Sequence, residues 1–186
     1  MEFLKNLNLP NRLTLLRIIM IPIFVFFLLI APDSVACRII SALVFIAASL
    51  TDTADGYIAR KYDMITNFGK FMDPLADKLL VCSAMICLVS LGQLPAWICI
   101  IIIAREFIIS GFRLVASDNG VVIAASYWGK FKTVFQMLMV IFMVADFPFG
   151  WWKIVSLIFM WVALVLTIVS LVDYIIKNVD VLKETK

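Results

Sequence analysis

The sequence predicts an all-α integral membrane protein of six transmembrane helices, and three observations carry that expectation. The chain is 64% hydrophobic and 16% charged, with a mean hydropathy of +1.07. Soluble domains are typically about 45–50% apolar and about 25% charged. The apolar residues fall into runs long enough to cross a bilayer, which takes roughly 20 residues per helix. The basic residues collect at alternate ends of those runs, as the positive-inside rule describes.

Spans are expected at about 11–31, 38–61, 69–91, 95–117, 126–146 and 150–177. The breaks between them, at 31–33, 63–67, 92–95, 117–120 and 146–150, carry Pro, Gly, Asn or Asp, which end helices or form turns. Pro22 falls inside the first span and is expected to bend it. The leading ten residues suit a short N-terminal interfacial helix. The first apolar run is too long for a signal-peptide core and has no small-residue cleavage site, so no cleavable leader is expected. With no internal repeat or soluble segment, residues 1–186 read as a single membrane domain. Of the 16 Lys and Arg residues, only Arg38 and Lys153 fall at the other ends of the spans, which predicts cytoplasmic N- and C-termini. Trp151 and Trp152 suit an interfacial aromatic belt, and the aromatic faces around Phe159 and Trp161 suit either lipid or a second copy.

Composition also restricts the chemistry. There is no histidine, which excludes a serine–histidine triad and imidazole metal ligation. The four cysteines, Cys37, Cys82, Cys87 and Cys99, lie in or beside apolar runs without a C-x-x-C pair, and read as small buried hydrophobes. Acid–base and metal chemistry must therefore come from carboxylates.

Four of these stand together. Asp52 and Asp55 are three apart near the end of the second span, and Asp73 and Asp77 are four apart at the start of the third. Residues at those spacings share a helix face, and the intervening turn lets the two faces oppose each other just inside the membrane. A charged aspartate at membrane depth costs about 2.5–3.5 kcal/mol on insertion scales, and four like charges repel as well. Protonation or bound cations must relieve them. Hard divalent ions prefer oxygen donors, and two ions about 3.5–4 Å apart clamp a phosphoryl group. Gly56 and Gly69 leave room for a ligand to approach the backbone, and Arg60 offers a planar fork of donors.

Asp52, Asp55-Gly56, Ala59-Arg60, Gly69, Asp73 and Asp77 together match the signature D-x-x-D-G-x-x-A-R-x8-G-x-x-x-D-x-x-x-D, and through it the chain resembles the CDP-alcohol phosphatidyltransferases. The resemblance implies that Asp52, Asp55, Asp73 and Asp77 bind Mg2+ or Mn2+, two ions in all, and that Asp77 also serves as the base. It implies that Gly56, Ala59, Arg60, Thr66 and Gly69 hold the CDP moiety of a CDP-linked lipid, with Asn11 and Thr14, beside Pro10 and Arg17, shaping the nucleotide side. The acceptor hydroxyl would attack the phosphorus that bears diacylglycerol and release CMP. The resemblance further implies a homodimer in the bacterial cytoplasmic (inner) membrane, with its site near the cytoplasmic face and no nucleic-acid partner.

The acceptor is read from the second half. Arg105 lies well inside the fourth span, where an unpaired guanidinium is costly, so it needs an anionic partner: Glu106 or a substrate phosphate. Arg113 and Lys130, at the ends of the fourth and fifth spans, can converge on the same pocket. Such a set suits a dianionic phosphomonoester better than a neutral alcohol. The plainer reading of Lys130 and Lys132 is a topology signal. The stretches NLNLPNRLTLLRIIMIP, AREFIISGFR and WGKFKT resemble the bacterial members of the family that join CDP-diacylglycerol to sn-glycerol 3-phosphate. Other acceptors within the family (inositol phosphate, serine or phosphatidylglycerol) are the nearest alternative. A cation-coupled transporter, the reading from another class, predicts carboxylates at the bilayer midplane and repeated halves, neither of which the sequence offers. A catalytically dead scaffold predicts the loss of an aspartate, and none is missing.

Overall fold

Among the described residues, a computed structural model of the chain has six α-helices in succession: α1 (Leu9–Ile30), α2 (Val35–Lys61), α3 (Asn67–Ser90), α4 (Ala96–Asp118), α5 (Tyr127–Ala145) and α6 (Gly150–Asn178). The structure describes residues 9–61, 67–118 and 126–178, apart from the side chains at 9–10, 52–60, 67–68, 70–71 and 118. The expected interfacial helix before residue 9 lies outside the described residues. Among the described residues every regular element is helical, as expected of an all-α membrane protein.

Local chemistry sets the helix ends. α1 continues through Pro22 and stops before Pro32, whose ring disfavours a helical conformation at Ala31. Ser34 then caps α2: its hydroxyl accepts from Cys37 N at 3.5 Å and its carbonyl from Arg38 N at 3.0 Å. This cap starts α2 at Val35, three residues before the start that apolarity alone marks. α3 ends in a Schellman turn, with Gln93 N donating to Leu88 O at 2.9 Å and Gly92 N to Val89 O at 3.0 Å. Gly92 takes φ +68°, which a side chain would resist. Ser126 caps α5 by accepting from Gly129 N at 3.2 Å. Asp146 closes the same helix in a left-handed conformation, φ +34°.

Asn11–Ile30 of α1, α5 and α6 are long and apolar enough to cross a membrane. In α2 the apolar stretch Val35–Thr51 gives way to Asp52 and Asp55. α3 and α4 are diluted by Asp73, Asp77 and Lys78 and by Arg105, Glu106 and Arg113. The charges that interrupt the apolar pattern are thus those of the candidate site. α1 packs on α2 and α3, α5 on α6 and α2, and α4 on α6. Phe24, Phe45, Leu80, Met85, Leu88, Ile98 and Met139 fill the core, with the Phe24 and Phe45 rings 5.7 Å apart. Buried Ala42, Ala48, Ala84 and Ala163 let helix backbones approach closely. Ser41, Ser49 and Thr167 return their hydroxyls to carbonyls of their own helices, which satisfies these donors within the bundle. Cys87 and Cys99 are buried, Cys37 and Cys82 partly so, and all four are free.

The end of the bundle formed by the α1–α2, α3–α4 and α5–α6 connections is tied together by charge. Arg38 Nη1 lies 2.8 Å from Asp146 Oδ2, Gln93 Nε2 donates to the same oxygen at 2.7 Å, and Arg38 Nε donates to Pro32 O. Arg38 is therefore a structural residue as well as a topology signal. Trp152, expected in an aromatic belt with Trp151, also has a packing role. Its Nε1 donates to Phe142 O at 2.8 Å and its ring stacks on Phe142 at 4.5 Å, so it packs inward while Trp151 stays exposed. Asp146→Asn keeps a residue that tolerates the left-handed cap but leaves buried Arg38 without its anion, at a cost of about 1–3 kcal/mol. The expected result is a thermal midpoint in detergent lower by on the order of 5 °C, read by following unfolding of the purified variant.

Candidate active site

Asp73 and Asp77 sit one turn apart on α3, so their carboxylates share a face. Thr14, fully buried on α1, donates its hydroxyl to Asp73 Oδ1 and so joins the first helix to the aspartate pair. Asn11 is buried on the same helix, one turn earlier. Arg17, fully buried a turn later, donates Nε to Ala48 O at 3.2 Å and fixes α1 against α2 shortly before Asp52. Pro74, between the two aspartates, has no N–H for the carbonyl of residue 70, so one backbone oxygen in the first turns of α3 lacks its helical donor.

The last turns of α2 carry Asp52, Asp55, Gly56, Ala59 and Arg60; their side chains lie outside the described residues. Thr66 lies outside them altogether. Gly69 is buried in the first turn of α3, ahead of Asp73. Among the described residues no three acidic, cysteine or histidine side chains form a metal-holding group. Asp73 and Asp77 nevertheless present only oxygen donors, and a chain without histidine supplies no imidazole rival. This donor set fits a hard divalent cation.

Beside Asp77 opens a cavity of about 850 Å3, lined by Arg105, Arg113, Lys130, Ser126 and Tyr174 among others. The sequence placed these three cations at separate helix positions; the fold gathers them around one space with the aspartate. Arg105 is 7% exposed. Its Nε donates to Ser170 Oγ on α6 at 3.2 Å and its Nη1 to Glu106 Oε1 at 3.1 Å. Glu106 is thus the anionic partner that the depth of Arg105 demanded. Arg113 and Lys130 are exposed at the rim, with Lys130 Nζ 5.4 Å from the centre of the Tyr127 ring. A Cβ at Gly129 would lie 3.3 Å from Arg105 Nη2, a tight contact that a shift of the guanidinium by a few tenths of an ångström would relieve.

Several participants escape the sequence. Lys132 is 1% exposed and donates to Glu106 Oε1, which a topology signal would not do. Lys78 donates to Ser110 Oγ and bridges α3 to α4 at the cavity wall. Tyr174 is buried with its ring edge-on to Phe112 at 6.1 Å, and its hydroxyl has no partner among the described residues. Helical spacing on α6 gives Ser170 and Tyr174 one face, a weak signal amid so many apolar neighbours. A smaller cavity of about 40 Å3 continues from Asp77 past Glu106 and Lys132 to Gln136.

Residues 7–169 match the family model described as CDP-alcohol phosphatidyltransferase. The chain is 44% identical to a Bacillus subtilis protein named CDP-diacylglycerol--glycerol-3-phosphate 3-phosphatidyltransferase, over 95% of this chain and 97% of that one. It is 40% identical to a Mycobacterium tuberculosis protein named probable phosphatidylglycerophosphate synthase, over 90% of this chain and 80% of the other. A Haemophilus influenzae protein with the same name as the Bacillus one is 39% identical over 90% and 91% of the two chains.

Proposed function

Because the chain belongs to the CDP-alcohol phosphatidyltransferase family, we propose that it transfers the phosphatidyl group of CDP-diacylglycerol to sn-glycerol 3-phosphate, giving phosphatidylglycerophosphate and CMP. The observation that carries the acceptor is one cavity lined jointly by Asp77, Arg105, Arg113 and Lys130. A carboxylate beside a reacting hydroxyl can take its proton, and guanidinium and ammonium groups bind a dianionic phosphate through charge-assisted hydrogen bonds. The names of the Bacillus and Haemophilus relatives agree with that acceptor.

The residues divide the work. Arg105, Arg113 and Lys130 hold the phosphate of the acceptor and turn its free hydroxyl toward Asp77. Asp77 accepts the hydroxyl proton as the new O–P bond forms on the phosphorus bearing diacylglycerol. The bond from that phosphorus to the CMP oxygen breaks, and CMP leaves. Thr14 holds Asp73 in orientation through its hydroxyl. Gly56, Ala59, Arg60, Thr66 and Gly69, with Asn11 and Thr14, form the CDP side. Asp52, Asp55, Asp73 and Asp77 would hold two Mg2+ or Mn2+ ions, which supply charge neutralisation for the pyrophosphate and the leaving CMP. The whole chain acts as one membrane domain, a homodimer in the bacterial inner membrane with both termini and the site on the cytoplasmic side. The one-sided basic residues support that orientation.

A radiolabelled assay of the purified protein with CDP-diacylglycerol, Mg2+ and a panel of acceptors tests this reading. Turnover is expected with glycerol 3-phosphate, is lost on chelation, and returns with added Mg2+. Activity with inositol phosphate and none with glycerol 3-phosphate would transfer the chain to another acceptor class.

A further inference from the structure

Lys132 is almost fully buried, yet it is not among the residues lining the large cavity that Arg105, Arg113 and Lys130 share. Its Nζ donates to Glu106 Oε1, the same oxygen that accepts from Arg105 Nη1 at 3.1 Å. Neighbouring side chains on a helix diverge and do not ordinarily face each other, so the Arg105–Glu106 contact is not a default of the sequence. α5 and α6 enforce it: Lys132 holds the carboxylate from one side, and Ser170 holds Arg105 Nε from the other at 3.2 Å. Ser170 is itself fixed, with Oγ donating to Thr167 O at 3.0 Å.

Two consequences follow for the guanidinium. Nε and Nη1 are engaged, while Nη2 makes no hydrogen bond to a described residue and lies at Gly129, on the cavity wall. The charges also do not cancel, since two cations share one carboxylate and leave a single net positive charge. Without Lys132 the Arg105–Glu106 pair would carry no net charge, and Glu106 would lose the ammonium that holds it against Arg105 Nη1, so the guanidinium would no longer be fixed at the wall.

We propose that Lys132 is a positioning residue for the acceptor phosphate: by engaging Glu106, it keeps the group of Arg105, Glu106 and Lys132 net positive and holds Arg105 with Nη2 presented to the ligand. The inference rests on the phosphomonoester-acceptor reading above, but its test can be separated from that reading. Equilibrium binding of glycerol 3-phosphate to the full-length protein in detergent is measured alongside steady-state kinetics.

Lys132→Met is expected to raise both Kd and KM for glycerol 3-phosphate about tenfold or more, with KM for CDP-diacylglycerol changed less than about twofold. Lys132→Arg, which keeps the charge, should stay within about threefold of the parent, whereas a mere packing role would be disturbed by either substitution. In an Arg105→Met background, Lys132→Met should add less than about twofold, because its effect passes through Arg105. Unchanged glycerol 3-phosphate affinity in Lys132→Met, or a full additional loss on top of Arg105→Met, overturns the proposal. If Lys132→Met does not fold, Lys132→Gln removes the same charge and is judged by the same two comparisons. Should the parent bind a different phosphomonoester instead, the acceptor reading fails, and the Lys132 comparisons are decided with that ligand.

Discussion

Asp77→Asn is expected to lower kcat by about a thousandfold or more, with the helical fold retained and KM for glycerol 3-phosphate little changed. The substitution keeps size and hydrogen-bonding capacity but removes the basic oxygen, and general-base contributions alone are about 10²–10⁴-fold. Weakened metal binding adds to that, since a neutral amide is a poorer ligand for a hard cation. Asp77 stands on α3 at the junction of the large and small cavities, partly exposed, so asparagine creates no void. The measurement is turnover at saturating substrates, with helicity checked by circular dichroism. A variant retaining near-normal rates would remove Asp77 from the base role.

Arg105→Met separates binding from chemistry. Methionine fills much of the same volume, and Glu106 keeps Lys132 as its counter-ion, so the bundle should still assemble. On the proposed acceptor site, what is lost is a charged donor to the phosphate, worth about 1.5–3 kcal/mol. The expected result is a KM for glycerol 3-phosphate raised about 10–100-fold, with KM for CDP-diacylglycerol nearly unchanged. A loss confined to the CDP-lipid would place Arg105 on the donor side instead. The two variants should therefore fail in different parameters, one in kcat and one in acceptor KM.

Much of this arrangement is legible before any coordinates. The spans read from apolarity and turn residues differ from the helices by three residues at most, as at α2, where the Ser34 cap begins the helix earlier than Arg38 allows by hydropathy. Asp73 and Asp77 are legible because spacing of four fixes a common helix face. Arg105 is legible because a deep guanidinium requires an anion, and Glu106 proves to be that anion. Other features leave no periodic trace. Lys132 reads as one more basic residue at a helix start, and only the packing of α5 on its neighbours reveals it as buried. Trp152 reads like Trp151, and which of them turns inward depends on where Phe142 ends up. The Arg38–Asp146 pair joins residues more than a hundred positions apart, a distance at which local pattern carries no information.

That last pair divides the molecule into a fixed base and a working end. Three connections converge on Asp146 Oδ2 through Arg38 and Gln93, and Arg38 reaches back to Pro32. A tie of this kind resists any motion that would separate the helix pairs at this end. If helices part to admit a lipid, the staple directs that parting toward the opposite end, like tweezers held at the closed end. An epitope or fluorophore inserted at Pro32–Asp33 or at Phe147–Pro148 is therefore expected to loosen this end of the bundle first, read as a lower thermal midpoint in detergent.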